Sequence, residues 1–271
     1  MNSNILLVII LVVFKIGISI PEENETVNEN IDKSEEKKRF YLFNKGIEKF
    51  VFIPQGTTQI GEKNIEIPCF YMSECEITNA QYLEFLNDLK LKGKMNEYNI
   101  AMVDTNQWLL LDESKISKYE SNYLQRLNYP VVNISIQGAE LYCKWLANKI
   151  SNDKYKYEIR LPTNNEWEHA ARGGRIDSKY PWGNGVPINV KGCSLAQFKT
   201  FGMFYGPVGV ATHFPNDYGL YDVSGNVAEM VSDTNIVKGG SWNSNSNEIQ
   251  ITSSAHYSVS PTVGFRPILI Y

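Results

Sequence analysis

The side chains in this 271-residue chain best suited to metal or redox chemistry are four cysteines and three histidines. Cys69, Cys75, Cys143 and Cys193 match neither a zinc knuckle nor a Cys-x-x-Cys redox pair. In an exported chain they allow two disulfides in three connectivities, and the alternative is a set of idle core thiols. Cys193 is the thiol most open to reaction, because Lys191-Gly192-Cys193-Ser194 reads as an exposed turn. His169, His213 and His256 stand far apart and read as surface or satisfied core histidines rather than as ligands. No G-x-G-x-x-G, Walker loop, H-E-x-x-H or G-x-S-x-G occurs, so nucleotide binding and the common hydrolase sites find no support.

Composition narrows the class further. Hydrophobic residues make up 43% and charged residues 21%, an ordinary globular balance. Sixteen Tyr, twelve Phe and five Trp suffice for a sizeable core without a metal or a disulfide. The net charge of −4 disfavours a nucleic-acid partner, since phosphate binding wants a basic surface. Ile5 to Phe14 is one unbroken apolar run, shorter than the ~20 residues of a spanning helix. With small residues at Gly17 and Ser19 it reads as a secretory signal over residues 1–19, and no stable membrane span is expected. Residues 20–39 follow as a flexible acidic leader, Pro21 to Arg39 holding seven acidic and four basic side chains. The sequons Asn24-Glu25-Thr26 and Asn133-Ile134-Ser135 matter only if the host glycosylates proteins.

Residues 40–271 contain no repeat and no linker, and read as one domain. Phe50-Val51-Phe52-Ile53 and the Ile60, Ile65, Ile67, Phe70 stretch suggest short strands. Three helices are expected. The first follows the capping box Thr78-x-x-Gln81 and buries Tyr82, Phe85, Leu86 and Leu89. The second runs from about Gln137 to Lys149. The third is capped by Thr163-x-x-Glu166 and stopped by Gly173-Gly174. Beyond Gly174, turn residues recur every few positions, with short β-rich pieces such as Ile236-Val237-Lys238 and Gly264 to Ile268 between them. The class is α+β, low in regular structure.

Several segments then match one known family in order. They are Glu76-Ile77-Thr78-Asn79; Pro130-Val131 leading to Ala139, Tyr142-Cys143 and Trp145; Arg160-Leu161-Pro162-Thr163 with Glu166-Trp167-Glu168 and Ala171-Arg172-Gly173-Gly174; Tyr180-Pro181-Trp182-Gly183-Asn184. Tyr218 to Asp222 with Gly225-Asn226-Val227 and Glu229, Gly239-Gly240-Ser241-Trp242, and Gly264-Phe265-Arg266 complete the series. Together they resemble the sulfatase-modifying-factor, or formylglycine-generating enzyme, domain over about residues 46–270. The resemblance implies a C-type-lectin-like fold with a small distorted antiparallel sheet and about three helices.

It also implies a chemistry, and there the chain departs. The family oxidase holds copper(I) on two cysteines shortly after the Gly-Gly-Ser-Trp/Tyr motif. Here Asn243 to Gln250, and on to Arg266, contains no cysteine. Hard Ser and Asn oxygens are weak ligands for copper(I), so no copper is expected and the oxidase chemistry with it. Thr252 and His256 stand roughly where arginines are usual. A second enzymatic branch pairs the domain with a three-His iron domain, for which this length has no room. Ala228-Glu229-Met230 replaces a common Trp-Glu-Trp, and Pro267 replaces a cysteine that some members bridge to the equivalent of Cys143. One site is expected to survive. The resemblance places calcium on Asp222, Gly225, Val227 and Glu229, two carboxylates and two carbonyls about a glycine turn. A second family calcium site lacks its acid near Thr200 to Phe204, although Asn189-Val190 resembles part of it.

The expectation is a secreted or lumenal, extracytoplasmic, non-catalytic binding or accessory module. Its ligand would be a protein, a peptide or a glycan on the loop-rich face near Trp182, Asn216-Asp217-Tyr218 and Trp242-Asn243. The alternatives are an oxidase-type enzyme that modifies protein cysteine through Cys193, and a surface protein tethered by an uncleaved amino terminus.

Overall fold

The computed structural model describes residues 40–41, 49–60, 63–110, 123–153, 155–200 and 206–270, and these fall within a compact unit running from Glu36 to Tyr271. The expected signal segment and acidic leader, residues 1–39, lie outside the described residues. No helix among the described residues is long and apolar enough to cross a membrane.

Eleven short strands and four α-helices are described, in an α+β arrangement. The main sheet has the order β1-β2-β5-β11-β6, formed by Phe40–Tyr41, Lys49–Ile53, Phe70–Ser73, Ile268–Ile270 and Glu158–Arg160. Its strands all run antiparallel. Strands β3 (Gly56–Ile60) and β4 (Lys63–Ile67) form a separate hairpin. A second sheet has the order β10-β7-β8-β9, from Val263–Gly264, Ala228–Met230, Ile236–Lys238 and Ser254–His256. It carries one parallel pair, β10 on β7, where only antiparallel pairing was expected.

The helices begin where their caps are. Thr78 and Gln81 form a reciprocal capping box ahead of α1 (Asn79–Leu91), and Ser135 caps α3 (Ile136–Ile150) by accepting from the Gly138 N–H. Thr163 and Glu166 cap α4 (Asn164–Arg172), which Gly173 ends at φ +61°, a left-handed conformation that glycine adopts freely. An additional helix, α2 (Met95–Ala101), was not foreseen. It has seven residues, no side-chain cap and only Ala101 buried, so it leaves no apolar period in the sequence.

The apolar faces of α1 and α3 meet through aromatic rings. Phe85 lies 5.6 Å from Tyr142 and 5.5 Å from Trp145, and Phe265 packs 5.4 Å from Tyr142. Cys143 is buried in this cluster, and all four cysteines are free thiols, so no disulfide staples the fold. Asn133 is fully buried at φ +61°, which leaves its sequon no room for a glycan.

One ion pair ties α4 to the main sheet. Arg160 Nη1 and Nη2 each donate to Glu166 at 2.8 Å, while the Thr163 N–H donates to the same carboxylate at 2.7 Å. Burial opposes ionisation of Glu166, but these hydrogen bonds prevail and hold its pKa below the usual glutamate value. A carboxylate with a lowered folded pKa contributes stability that is present above its unfolded value and is lost as pH falls through the folded one. Glu166→Gln is therefore expected to lower unfolding stability at neutral pH by about 1–3 kcal/mol, read from urea titrations. The gap between wild type and variant should close as the pH is taken below about 4. A gap that stays constant down through that range would refute the assignment.

Candidate functional site

The site is organised around a charge that has no access to water. Arg266 follows β10 and is fully buried, and its partner Glu229, the middle residue of β7, is 1% exposed. Arg266 Nε donates to both Glu229 oxygens at 3.0 and 3.1 Å, and Nη2 donates to Oε1 at 2.7 Å. The remaining donors go to main-chain carbonyls: Nη1 to Ser73 and Glu74 at 3.1 and 2.7 Å, Nη2 to Tyr221 at 2.7 Å. All five guanidinium N–H groups are satisfied. Trp167 Nε1 on α4 completes the carboxylate by donating to Glu229 Oε2 at 2.6 Å.

This geometry redistributes the residues from which calcium binding was expected. Glu229 is saturated by Arg266 and Trp167, so it enters the centre as the counter-ion of an arginine. The Asp222 carboxylate faces His213, whose Nδ1 lies 2.8 Å from Oδ1, and accepts from the Thr212 N–H at 3.3 Å. A third acid stands beside them. Glu76 Oε1 accepts from Asn226 Nδ2 at 3.0 Å, while its buried Oε2 has no hydrogen-bond partner. Burial, and then the neighbouring Asp222 charge, push the Glu76 pKa well above the ordinary glutamate range. A buried acceptor without a donor is the kind of group that a bound cation satisfies. The residues thus fit a calcium ion with Glu76 added to the set and Glu229 turned away from it. Among the described residues no group of three or more His, Cys, Asp or Glu is arranged to hold a metal, so such an ion would draw largely on carbonyls such as those of Gly225 and Val227.

The glycine turn itself is forced by packing. Gly225 has φ +80°, and a Cβ there would stand 2.3 Å from the Gln197 carbonyl oxygen. Glu76 could have been singled out in the sequence, because it opens the Glu76-Ile77-Thr78-Asn79 motif two residues before a helix cap.

The segment after Gly239-Gly240-Ser241-Trp242 lines a pocket of about 500 Å³. Its walls carry Ser241, Asn243, Ser244, Asn247, Glu248, Ser253, Ser254, His256, Ser258 and Thr262. No sulfur reaches it, so this donor set does not fit copper(I). Cys193 is exposed on its own turn and is not among the pocket residues. Asn189 Oδ1, near it, accepts from the Lys191 and Cys193 N–H groups. His256 is exposed at the pocket, whereas His169 is buried with Nε2 2.8 Å from the Pro54 carbonyl.

The loop-rich face expected to hold a ligand proves partly structural. Trp242 is buried and donates to the Pro261 carbonyl, and buried Asn216 donates to the carbonyls of Ala170 and Ala171. Trp182 stacks on Tyr180 with centroids 5.0 Å apart, and Asp217 pairs with Arg175 at 2.8 Å. Asn243, at the pocket, is the exposed member of the set that also faces a cavity.

A family model for the sulfatase-modifying factor enzyme 1-like domain matches residues 40–269. The chain belongs to this family. Among relatives of this domain, the chain is 37% identical over 136 residues to an inactive C-alpha-formylglycine-generating enzyme 2 of Bos taurus, covering 45% of this chain and 41% of that one. It is 29% identical over 201 residues to the formylglycine-generating enzyme of Mus musculus, covering 63% of this chain and 50% of that one. The chain spans half or less of the length of these two relatives. Among solved structures, PvdO from Pseudomonas aeruginosa superposes with a TM-score of 0.62 at 17% identity, covering 87% of this chain and 99% of that one. Treponema denticola variable protein 1 gives 0.57 at 18% identity, covering 86% and 98%. These likenesses show the fold, the C-type-lectin-like, formylglycine-generating-enzyme type.

Removing one partner of the buried pair leaves the other charged and unpaired. Arg266→Met and Glu229→Gln are each expected to destabilise the domain by about 3–5 kcal/mol, measured by urea denaturation. The double variant should cost clearly less than the sum. Strict additivity would mean that the two side chains do not act as a unit.

Proposed function

We propose that this chain is a secreted or lumenal, non-catalytic member of the sulfatase-modifying factor family that works as a binding or accessory module. The observation that carries the reading is the pocket after Gly240, where oxygen donors stand and no thiol does. A copper(I) oxidase needs soft ligands at one ion, and Ser, Asn and Glu oxygens cannot replace them. A relative named as inactive shows that the same domain occurs in a chain described as having no activity of this kind. The apolar run at Ile5 to Phe14 supports export. Partners are a protein, peptide or glycan, and the pocket is where they bind.

In the same reading the Asp222–Glu229 turn carries a structural calcium ion. Glu76 and Asp222 supply carboxylate oxygen, the Gly225 and Val227 carbonyls complete the cage, and Glu229 fixes the turn through Arg266. Calcium would supply positive charge to buried oxygen and nothing to a reaction.

Two measurements test these statements. Residues 20–271, loaded with copper(I) and given a Cys-x-Pro-x-Arg peptide, are expected to leave the cysteine unchanged by mass spectrometry beside an active family enzyme. Conversion to the aldehyde would overturn the non-catalytic reading and direct mutagenesis to Cys193. Calcium in excess over its dissociation constant should raise the melting temperature above that in chelator, since a ligand at 100-fold excess contributes about 2.7 kcal/mol. Glu76→Gln should remove that response. Identical melting in calcium and chelator would eliminate the ion.

A further inference from the structure

The large apolar side chains that this domain shows to water are concentrated in one region. Among the described residues the five most exposed are Val190, Phe214, Ile176, Leu91 and Val186, at 72% or more. All but Leu91 lie on the loops between Arg175 and Asp217 that follow α4. Arg175 ties these loops together. Its guanidinium pairs with Asp217 at 2.8 Å, close in sequence to Phe214, and stands 3.8 Å from where a Cβ would lie on Gly183.

The apolar tips are held in place by their own loops. Asn189 Oδ1 accepts from the Lys191 and Cys193 N–H groups at 3.0 Å. The Gly192 N–H donates to the Asn189 carbonyl at 2.9 Å, and the Asn189 N–H to the Cys193 carbonyl at 2.9 Å. The tight turn so formed sets Val190 and Lys191 at its corner, with exposed Val186 and Ile188 on either side of buried Pro187. Asn and Gly build such a turn, and a fully exposed valine at the corner contributes nothing to it. Phe214 is fixed in the same way. His213 before it lies 2.8 Å from Asp222, and buried Asn216 after it donates to the α4 carbonyls of Ala170 and Ala171.

Charge in this stretch has one sign. From Ser178 to Asn216 the sequence holds Lys179, Lys191 and Lys199 and no Asp or Glu, although the whole chain carries −4. All three lysines are exposed. Asp217, at the border, is answered by Arg175, and Asp222 beyond it by His213. Aliphatic tips that project almost wholly into water offer a protein no pocket to fill or be filled by. The acyl boundary of a bilayer accepts such tips without shape matching, and surrounding lysines reach the headgroups while their stems lie along apolar surface.

We propose that this face rests on an anionic lipid surface, with Val190 and Phe214 entering the acyl boundary and the three lysines among the headgroups. No spanning helix is needed, and the pocket after Gly240 takes no part.

The test is vesicle partitioning of residues 20–271, a form without the apolar run Ile5 to Phe14, so that binding belongs to the folded domain. Co-sedimentation is expected with vesicles of phosphatidylcholine and phosphatidylglycerol in equal parts, and far less with phosphatidylcholine alone. Val190→Ser combined with Phe214→Ser should lower the partition coefficient at least about tenfold. The melting temperature should stay unchanged, because both side chains are exposed. Lys191→Gln should lower partitioning about fivefold on the mixed vesicles, and added salt should weaken it too. Val190→Trp should show vesicle-dependent emission, absent from wild type, that shifts to the blue and is quenched by brominated acyl chains. No partitioning onto the mixed vesicles, the result for a face that docks on a protein, would overturn the proposal. So would binding indifferent to the double serine variant, or Val190→Trp emission that vesicles leave unshifted. The copper assay decides the non-catalytic reading separately, and no outcome here changes it.

Discussion

A guanidinium sealed from water is the constraint on which this fold depends. Desolvating an arginine is costly, and a single carboxylate does not offset that cost unless the remaining donors are also satisfied. Arg266 meets the condition by drawing on the chain end of β5 at Ser73 and Glu74, the loop before the Asp222–Glu229 turn at Tyr221, and β7 at Glu229. Three segments far apart in sequence must arrive together for any one of them to be stable. The Trp167 bond to Glu229 adds α4 to the same condition. Of the family segments, those that hold Tyr221, Glu229, Trp167 and Arg266 are tied to this one charge.

That dependence explains how a copper pair can be absent while the scaffold persists. The residues that replace it, Ser244 to Ile249, make local contacts instead: the Asn245 N–H donates to Glu248 Oε2 at 2.7 Å and Ser241 N–H to Ser244 Oγ at 3.0 Å. None of these touches Arg266. The loop is also tied to the rest through its main chain, the carbonyls of Ser244, Ser246 and Ile249 accepting from the Lys199 N–H, the Tyr180 hydroxyl and the Ser224 hydroxyl, and a Cβ on Gly240 would lie 2.7 Å from the Glu248 carbonyl oxygen. Thiolates here would serve a metal, not the core, and among the described residues no buried side-chain polar atom of this loop lacks a partner.

Much of this was legible before any coordinates. The two capping boxes, the apolar spacing of Tyr82, Phe85 and Leu89, and the turn chemistry beyond Gly174 each rest on local physics, and local physics is what a sequence displays. The helix Met95–Ala101 was not legible, because it is too short to show a period and is held by contacts with α1 and α3. The disulfide question stayed open for a similar reason: spacing says nothing about whether Cys143 meets a partner or, as here, packs among aromatic rings. Residue type identified Glu229 as an acid in a tight turn, but not which way it faces. Only the arrival of Arg266 from 37 residues away decides that. Glu76 stands out in the sequence by its motif, but its bond to Asn226 and its closeness to Asp222 exist only in space.

Strand β7 shows how charge and apolar packing are kept apart in so small a sheet. Neighbouring residues on a strand face opposite sides, so Glu229 turns to the arginine while Ala228 turns to the pocket. A change at position 229 disturbs the charge on which four segments converge. Position 228 is buried in the main core cluster with Val263 and Phe265, so a change there disturbs packing and not charge. The two positions are bonded to each other and yet answer to different constraints, one to electrostatics and the other to apolar packing. The pleat thus places the packing of Ala228 on the opposite side of the backbone from the buried charge of Glu229.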